Sequence, residues 1–312
     1  MKYTIKDIAD LCHVGKSTVS RVLNNDPKVS SETRQKVQNM IDALGFQPNR
    51  SAQAMRGASE PVVGVIVSRL NSTSETQTLR AILSELYEHH ITPLIVESLF
   101  QPELVAHHLQ LFKQRRVNGV IVFGFSPLPV EILRQWHGNM VVVARQYAQI
   151  SSVYYDDTHA IAALMEKLYH QGHRHIGYLG INDDDETTGK LRTQSYLHFC
   201  QTHGLAPNIA LSPLGVEQSY QHCGTLLQQP LSAVICATTS LAVGAVKYLQ
   251  EHHHILPLAY IGRNSLLQHF VPELISLNFG YEQAGKWAVE LLLRQINGDN
   301  AVQQRQVSFQ LS

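Results

Sequence analysis

The sequence predicts a small all-α head carrying a helix-turn-helix, a hinge helix, and a two-lobed α/β body built on parallel sheets. Three observations predict it. A helical apolar pattern runs through residues 4–44 and breaks twice at turn residues. From Val62 onward, short apolar runs alternate with helical segments, the pattern of parallel strands joined by helices. Charge divides where the texture does. Residues 1–57 hold nine Lys/Arg against five Asp/Glu, and the remainder holds sixteen against twenty, within a net formal charge of zero. A basic head on an acidic body suits a polyanion contact made by the head alone.

The head is expected to span residues 1–46. Thr4 with Asp7 fits a capping box, and Ile5, Ile8, Ala9 and Leu11 or Cys12 give one apolar face at helical spacing. The pattern breaks at His13-Val14-Gly15 and restarts at Lys16, with Val19, Val22 and Leu23 as the inner stripe of a second helix. That leaves Lys16, Ser17, Ser20 and Arg21 outward near its N-terminus, where a recognition helix meets base edges. Ser17 and Arg21 lie four apart on one face, and an arginine can grip guanine O6 and N7 together. The same residues also describe an amphipathic helical hairpin with a solvated charged face. Ser30 or Ser31 caps a third helix to about Leu44, with Val37, Met40, Ile41 and Leu44 inward and Gly45 as its stop.

Residues 47–60 form the linker. Pro48 and Asn49 open a turn of helix and Gly57 ends it, too short to hold alone in water. It is either a plain tether or a segment that folds against DNA. In the second case Met55 wedges into the minor groove, with Asn49, Arg50, Gln53 and Arg56 near phosphates and base edges.

The body is expected over 61–312. Its apolar runs are Val62–Val67, Pro93–Val96, Gly119–Phe123, Met140–Ala144, Ile176–Leu179, Ala233–Cys236, Leu258–Ile261 and Ile275–Leu277. Between them lie helical patterns at Thr76–His89, Leu104–Arg115, Ala160–His170, Thr193–His203, Tyr220–Gln228, Leu241–His254 and Gln283–Ile296. These are too many units for one small sheet, so two similar lobes with a cleft between them are expected. Ligands of open parallel sheets bind at the carboxyl ends of the strands. The residues just past each strand end are Ser68 to Glu75, Gly124 and Phe125, Arg145, Asn182 to Thr188 with Lys190 and Arg192, Thr238 and Thr239, and Arg263 and Asn264. Hydroxyls, amides and one or two carboxylates suit a sugar, on which Phe125 or Tyr281 can stack. Arg69, Arg145 and Arg192, all at strand ends, suggest a phosphate on that sugar, although a surface ion pair is the commoner fate of any one arginine.

Other classes lose ground. No Gly-rich phosphate loop, nucleophile elbow or paired acid and base with a nucleophile is present, so an enzyme is not expected and no cofactor is called for. No secretion signal or bilayer-length apolar run is read, and Cys12, Cys200, Cys223 and Cys236 lack metal-ligand spacing; a cytoplasmic protein with reduced thiols is expected. The run Asp183-Asp184-Asp185-Glu186 is contiguous, not spaced as in a calcium loop, and reads as a solvated loop. His252-His253-His254 suits a helix end better than a metal. The final strand is expected at Gln306–Gln310 with no heptad tail after it, which predicts a dimer.

The stretches TIKDIADLCHVGKSTVSRVLNN, Val29-Ser30, Thr33-Arg34, Lys36-Val37, Gly45-Phe46 and Pro48-Asn49-Arg50-Ser51-Ala52 resemble the lactose-repressor family of bacterial regulators, and the resemblance continues along essentially the whole chain. It implies a periplasmic-binding-protein-like body and a homodimer on double-stranded operator DNA. Contacts would come from Lys16, Ser17, Thr18, Ser20, Arg21 and Asn24 of the head. Asn49, Arg50, Ala52, Gln53, Met55 and Arg56 of the hinge would add to them. It also implies three crossings between lobes, near Asp156–Asp157, Asn278–Tyr281 and Gly298–Gln303. Within the family, SAQAMRG, Arg69-Leu70 with Ser72, Ser74 and Glu75, Thr187-Thr188-Gly189-Lys190 with Arg192, and CATTSLAVGAVKYLQE resemble the branch that answers to trehalose 6-phosphate. This implies ligand contacts at Arg69, Leu70, Asn71, Ser72, Thr73, Ser74, Glu75, Gly124, Arg145, Asp185, Glu186, Thr187, Thr188, Arg192, Ser240 and Gly285. Thr239 and Asn278 stand where relatives usually carry Asp. The reading is a ligand-released repressor of trehalose uptake and catabolism genes. Alternatives are a different sugar, a ligand acting as corepressor, or a sugar-phosphate sensor whose head binds protein or only dimerises.

Overall fold

The computed structural model describes residues 3–23, 26–46 and 60–311. It divides into two compact units, Met1–Glu60 and Pro61–Ser312.

In the first unit, α1 (Ile5–Leu11), α2 (Lys16–Leu23) and α3 (Ser31–Leu44) enclose a small core of Ile8, Ala9, Cys12, Val19, Val22, Val37, Ile41 and Phe46. Each boundary has a local cause. Thr4 Oγ1 accepts from the Asp7 N–H at 3.3 Å while Asp7 Oδ2 accepts from the Thr4 N–H at 2.7 Å, a complete capping box. Ser30 caps α3, and Gly45 closes it at φ +57°, a left-handed conformation that glycine adopts without strain.

The second unit holds two six-stranded sheets. The first contains β1 (Val62–Val67), β2 (Thr92–Glu97), β3 (Gly119–Phe123), β4 (Asn139–Val143), β5 (Ser151–Tyr155) and β11 (Gln304–Val307), in the order β11-β5-β4-β3-β1-β2 and parallel throughout. The second contains β6 (Ile176–Ile181), β7 (Asn208–Ser212), β8 (Ala233–Cys236), β9 (Leu258–Ile261), β10 (Ile275–Asn278) and β12 (Gln310–Leu311), in the order β12-β10-β9-β8-β6-β7. Among the described residues, only β12 runs antiparallel to its neighbouring strand. Helices cover both faces: α4 (Thr73–Glu88), α5 (Pro102–Arg115), α6 (Val130–Arg134) and α12 (Tyr281–Ile296) serve the first sheet. The second carries α7 (Asp157–His170), α8 (Arg192–His203), α9 (Val216–Leu226), α10 (Thr239–Glu251) and α11 (Ser265–Phe270). The central strands are buried on both faces, which is why they read as unbroken Val/Ile/Leu runs.

The chain passes between lobes where β5 gives way to α7 and where β10 gives way to α12, as the family resemblance implies. The third crossing differs. The chain stays with the first sheet past Gln303, because β11 pairs with β5 from Gln304 to Val307. It crosses at Ser308–Phe309, and β12 then pairs with β10. The single terminal strand expected at Gln306–Gln310 is therefore two short strands, one for each sheet. Two further strands, β5 and β7, lack the expected apolar run: SSVYY and NIALS carry too few large aliphatic residues to stand out.

Candidate functional site

Between the two sheets lies a cavity of about 390 Å³. Strand ends from both lobes deliver its walls, and each loop is held by its own hydrogen bonds.

After β1, Ser72 caps α4, its Oγ accepting from the Glu75 N–H at 3.4 Å. Glu75 turns back, and its Oε2 accepts from the Ser68 N–H at 2.7 Å and the Arg69 N–H at 3.2 Å. Burial pushes the Glu75 carboxyl up to about 7, against those two N–H donors and the nearby Arg69 charge. The Arg69 guanidinium lies over the Phe100 ring at 5.3 Å. Its Nε is buried with no hydrogen-bond partner among the described residues, and burial lowers the pKa of the guanidinium.

After β6, Asp185 organises the loop. Its Oδ1 accepts from the Thr188 N–H at 2.6 Å, the Gly189 N–H at 3.2 Å and the Thr188 hydroxyl at 2.5 Å, fixing a π-helical turn over Glu186–Leu191. A β-carbon at Gly189 would run into the Asn182 carbonyl, so the turn requires glycine. Arg192 follows, buried with Asp157. Its Nε and Nη2 reach the same Asp157 Oδ1 at 2.7 and 2.6 Å, and its Nη1 donates to the Ala237 carbonyl. Burial pushes Asp157 above the usual carboxylate range, while the carboxylate holds Arg192 protonated. Across the second lobe, Thr238 caps α10, and Thr239 and Ser240 join the wall. Tyr155, Phe279 and Tyr281 form an aromatic corner: Tyr155 stacks on Phe279 at 5.1 Å and meets Tyr281 edge-on at 5.4 Å. Burial keeps both tyrosine hydroxyls protonated far above neutral pH.

Of the ligand contacts implied by resemblance, Arg69, Ser72, Thr73, Ser74, Glu75, Gly124, Asp185, Thr187, Thr188, Arg192 and Ser240 line this cavity, as do Phe125, Tyr281, Thr238 and Thr239. Five others lie elsewhere. Leu70 is half exposed with its N–H on Glu97 Oε1 at 2.7 Å, and Asn71 follows it outside the wall. The Glu186 N–H donates across the lobes to Ser126 Oγ at 3.0 Å. Arg145 donates to the Phe125 carbonyl at 2.8 Å and to Ser126 Oγ at 3.2 Å, above the Tyr147 ring. Gly285 sits in the α12–α4 contact, where a β-carbon would meet the Thr78 carbonyl at 2.5 Å and Ala81 Cβ at 2.7 Å; it is a packing glycine. Asn278 also stands apart, its side-chain oxygen accepting from the Gly280 N–H at 3.1 Å.

Phe100, Ser126, Tyr155, Asp157, Pro213, Leu214 and Phe279 are lining residues that the sequence reading did not single out. The strand-end rule reaches Phe100, just beyond β2. Nothing in the sequence links Asp157 to Arg192, because the fold alone brings them together.

On the head, Lys16, Ser17 and Arg21 of α2 are exposed, and Thr18 and Ser20 are half-buried. Arg21 Nε is 3.7 Å from Asp26 Oδ2, an ion pair at the surface. The outward face of α2 thus carries the cationic residues singled out from the sequence. Asn24, and the hinge residues Asn49, Arg50, Ala52, Gln53, Met55 and Arg56, lie outside the described residues.

Comparison with known proteins adds the family. Residues 4–49 match the profile described as bacterial regulatory proteins, lacI family, and residues 165–311 match a periplasmic binding protein-like domain. The HTH-type transcriptional regulator TreR of Escherichia coli (strain K12) is 45% identical over 304 residues, covering 97% of this chain and 96% of its own. The solved trehalose repressor from Escherichia coli superposes with a TM-score of 0.79 at 41% identity, covering 81% of this chain and 100% of its own. The lac repressor dimer bound to operator and the anti-inducer ONPF shares the fold at a TM-score of 0.86 and 20% identity, over 100% of this chain and 98% of its own. With an exposed cationic helix on a three-helix head, a cavity of aromatic and hydroxyl side chains between two largely parallel sheets, and a relative this similar along nearly its whole length, the chain belongs to the lacI family of bacterial regulatory proteins, a family of transcriptional regulators and not of enzymes.

Proposed function

We propose that the protein is a cytoplasmic, homodimeric repressor of trehalose uptake and catabolism genes. It binds a palindromic operator through Lys16, Ser17 and Arg21 and is released by trehalose 6-phosphate. The observation that carries the effector is Arg69: an arginine on the cavity wall whose guanidinium, among the described residues, makes no ion pair within 4.0 Å. A guanidinium with no protein anion on it can grip phosphate oxygens through parallel N–H donors. Arg192 is already paired with Asp157, and Arg145 is occupied by Phe125 and Ser126, so Arg69 holds the phosphate. The hydroxyls of Ser72, Thr188, Thr238 and Ser240 and the Tyr281 ring suit the two glucose units. Support for the sugar and for the dimer on operator comes from the trehalose repressor and the operator-bound lac repressor dimer respectively.

In operation, the effector favours one arrangement of the two lobes and the operator the other. A coupling of about 1–3 kcal/mol suffices for release. Isothermal titration with trehalose 6-phosphate and with trehalose tests the assignment. Arg69→Ala is expected to weaken the phosphorylated sugar by about tenfold or more while leaving trehalose nearly unchanged. Equal weakening of both removes the phosphate from Arg69.

A further inference from the structure

We propose that Phe100 determines the specificity of the cavity for a phosphorylated sugar, by positioning the Arg69 guanidinium. The inference rests on the effector reading above and adds a residue to it.

Phe100 lies in the short loop that follows β2. Leu99 and Phe100 both adopt left-handed backbone, with φ of +53° and +58°. Bulky residues rarely occupy that region, and two in succession persist only where the surroundings over-determine them. Here they do. The Ser98 N–H donates to the Val67 carbonyl at 2.8 Å, the Leu99 N–H to the Ser68 carbonyl at 2.9 Å, and the Gln101 N–H to the Ser98 carbonyl at 2.9 Å. The loop is thus tied to the end of β1, the strand that delivers Arg69. The conformation leaves Leu99 in solvent, 52% exposed, and puts Phe100 on the cavity wall. An apolar side chain is given up to water where Phe100 gains its place.

The ring's surroundings explain the placement. Phe125 meets Phe100 edge-on at 5.6 Å and 85°, which fixes the ring plane. The Arg69 guanidinium carbon stands 5.3 Å from the ring centroid, within cation–π range. Two carboxylates are near enough to act on the Arg69 charge, Glu75 and Glu97. Yet Glu75 Oε2 takes the Ser68 and Arg69 backbone N–H groups and Glu97 Oε1 takes that of Leu70. Among the described residues Arg69 makes no ion pair within 4.0 Å. A carboxylate holding this arginine would neutralise it and consume its donors. An aromatic face holds it while leaving charge and N–H groups for a phosphate. Phe100 therefore acts through Arg69, as a positioning residue.

Titration calorimetry on the full-length protein tests this with trehalose 6-phosphate and trehalose, in the wild type, Phe100→Leu, Phe100→Trp, Arg69→Met and the Phe100→Leu/Arg69→Met double variant. Phe100→Leu is expected to weaken the phosphorylated sugar about tenfold and trehalose little, and Phe100→Trp to retain the preference. In the Arg69→Met background, Phe100→Leu should change nothing further. Equal loss for both sugars, failure of Phe100→Trp to keep the preference, or a Phe100→Leu effect that survives in the Arg69→Met background overturns the inference. A wild type that fails to distinguish the two sugars removes the phosphate reading itself, and the role of Phe100 with it.

Discussion

Arg192 and Asp157 form a buried ion pair: two guanidinium nitrogens meet one carboxylate oxygen at 2.6 and 2.7 Å, and the side chains are 5% and 4% exposed. The pair joins three parts of the cleft. Asp157 begins α7 just after the first crossing, and Arg192 opens α8. The Arg192 guanidinium also lies 5.2 Å from the Phe279 ring in the second crossing. Removing one partner leaves the other charge buried and uncompensated. Arg192→Ala should therefore lower the stability of the ligand-free protein by about 3–5 kcal/mol, measured by urea unfolding. A loss below about 1 kcal/mol would show that water reaches Asp157.

Glu75 gives the protein a pH dependence of defined sign. Its carboxyl is raised from 4.5 to about 7 by burial. The folded protein keeps a proton that the unfolded chain has already released, so stability falls as pH rises from about 4.5 to about 7 and then levels. The span of that fall approaches about 3 kcal/mol. Glu75→Gln retains an oxygen for the Ser68 and Arg69 N–H groups and should flatten the profile, with higher stability at pH 8. Thermal unfolding from pH 5 to 8 checks it, and parallel curves for the two proteins would contradict it.

Among the described residues, two hydrogen bonds cross between the lobes: the Glu186 N–H to Ser126 Oγ at 3.0 Å, and Gln77 Nε2 to the Arg263 carbonyl at 2.7 Å. Gln77 is not on the cavity wall, so its removal isolates lobe opening from ligand contact. Gln77→Ala should raise both the association and the dissociation rate of the effector, by about two- to tenfold. Stopped-flow fluorescence reads both rates, and unchanged rates would mean that this bond plays no part in opening.

Gly285 separates packing from binding. A β-carbon there meets the Thr78 carbonyl and Ala81 Cβ well inside contact distance. Gly285→Ala should cost about 1–3 kcal/mol of stability through forced separation of α12 and α4. Effector affinity measured below the melting transition should hold. Unimpaired stability with lost affinity would return Gly285 to the site.

These cases show what the sequence carries and what it does not. Strands such as Val62–Val67 and Gly119–Phe123 were legible because burial on both faces writes a continuous aliphatic run. SSVYY was not, because β5 uses its last positions to shape the cleft, with the Tyr155 hydroxyl 3.2 Å from Thr78 Oγ1. Reading past strand ends brought out most of the cavity wall, since parallel strands deliver their ends to one side. It did not distinguish the arginines. Arg69, Arg145 and Arg192 look alike in sequence, and only folding gives Arg192 a buried carboxylate, Arg145 a carbonyl and a hydroxyl, and Arg69 an aromatic face. The third crossing was misplaced because QRQV pairs with β5 through its backbone, which leaves no apolar signature in the side chains.

The central claim is that a small sugar phosphate in the body controls DNA binding by the head. Fluorescence anisotropy measures it directly, using full-length protein and a labelled palindromic duplex recovered by selection on the immobilised protein. The wild-type protein should bind tightly, with affinity that falls steeply as salt rises. Arg21→Ala should relax its sequence preference. Trehalose 6-phosphate should lower wild-type affinity about fivefold or more. Operator affinity that stays the same at saturating trehalose 6-phosphate, or rises, would contradict it.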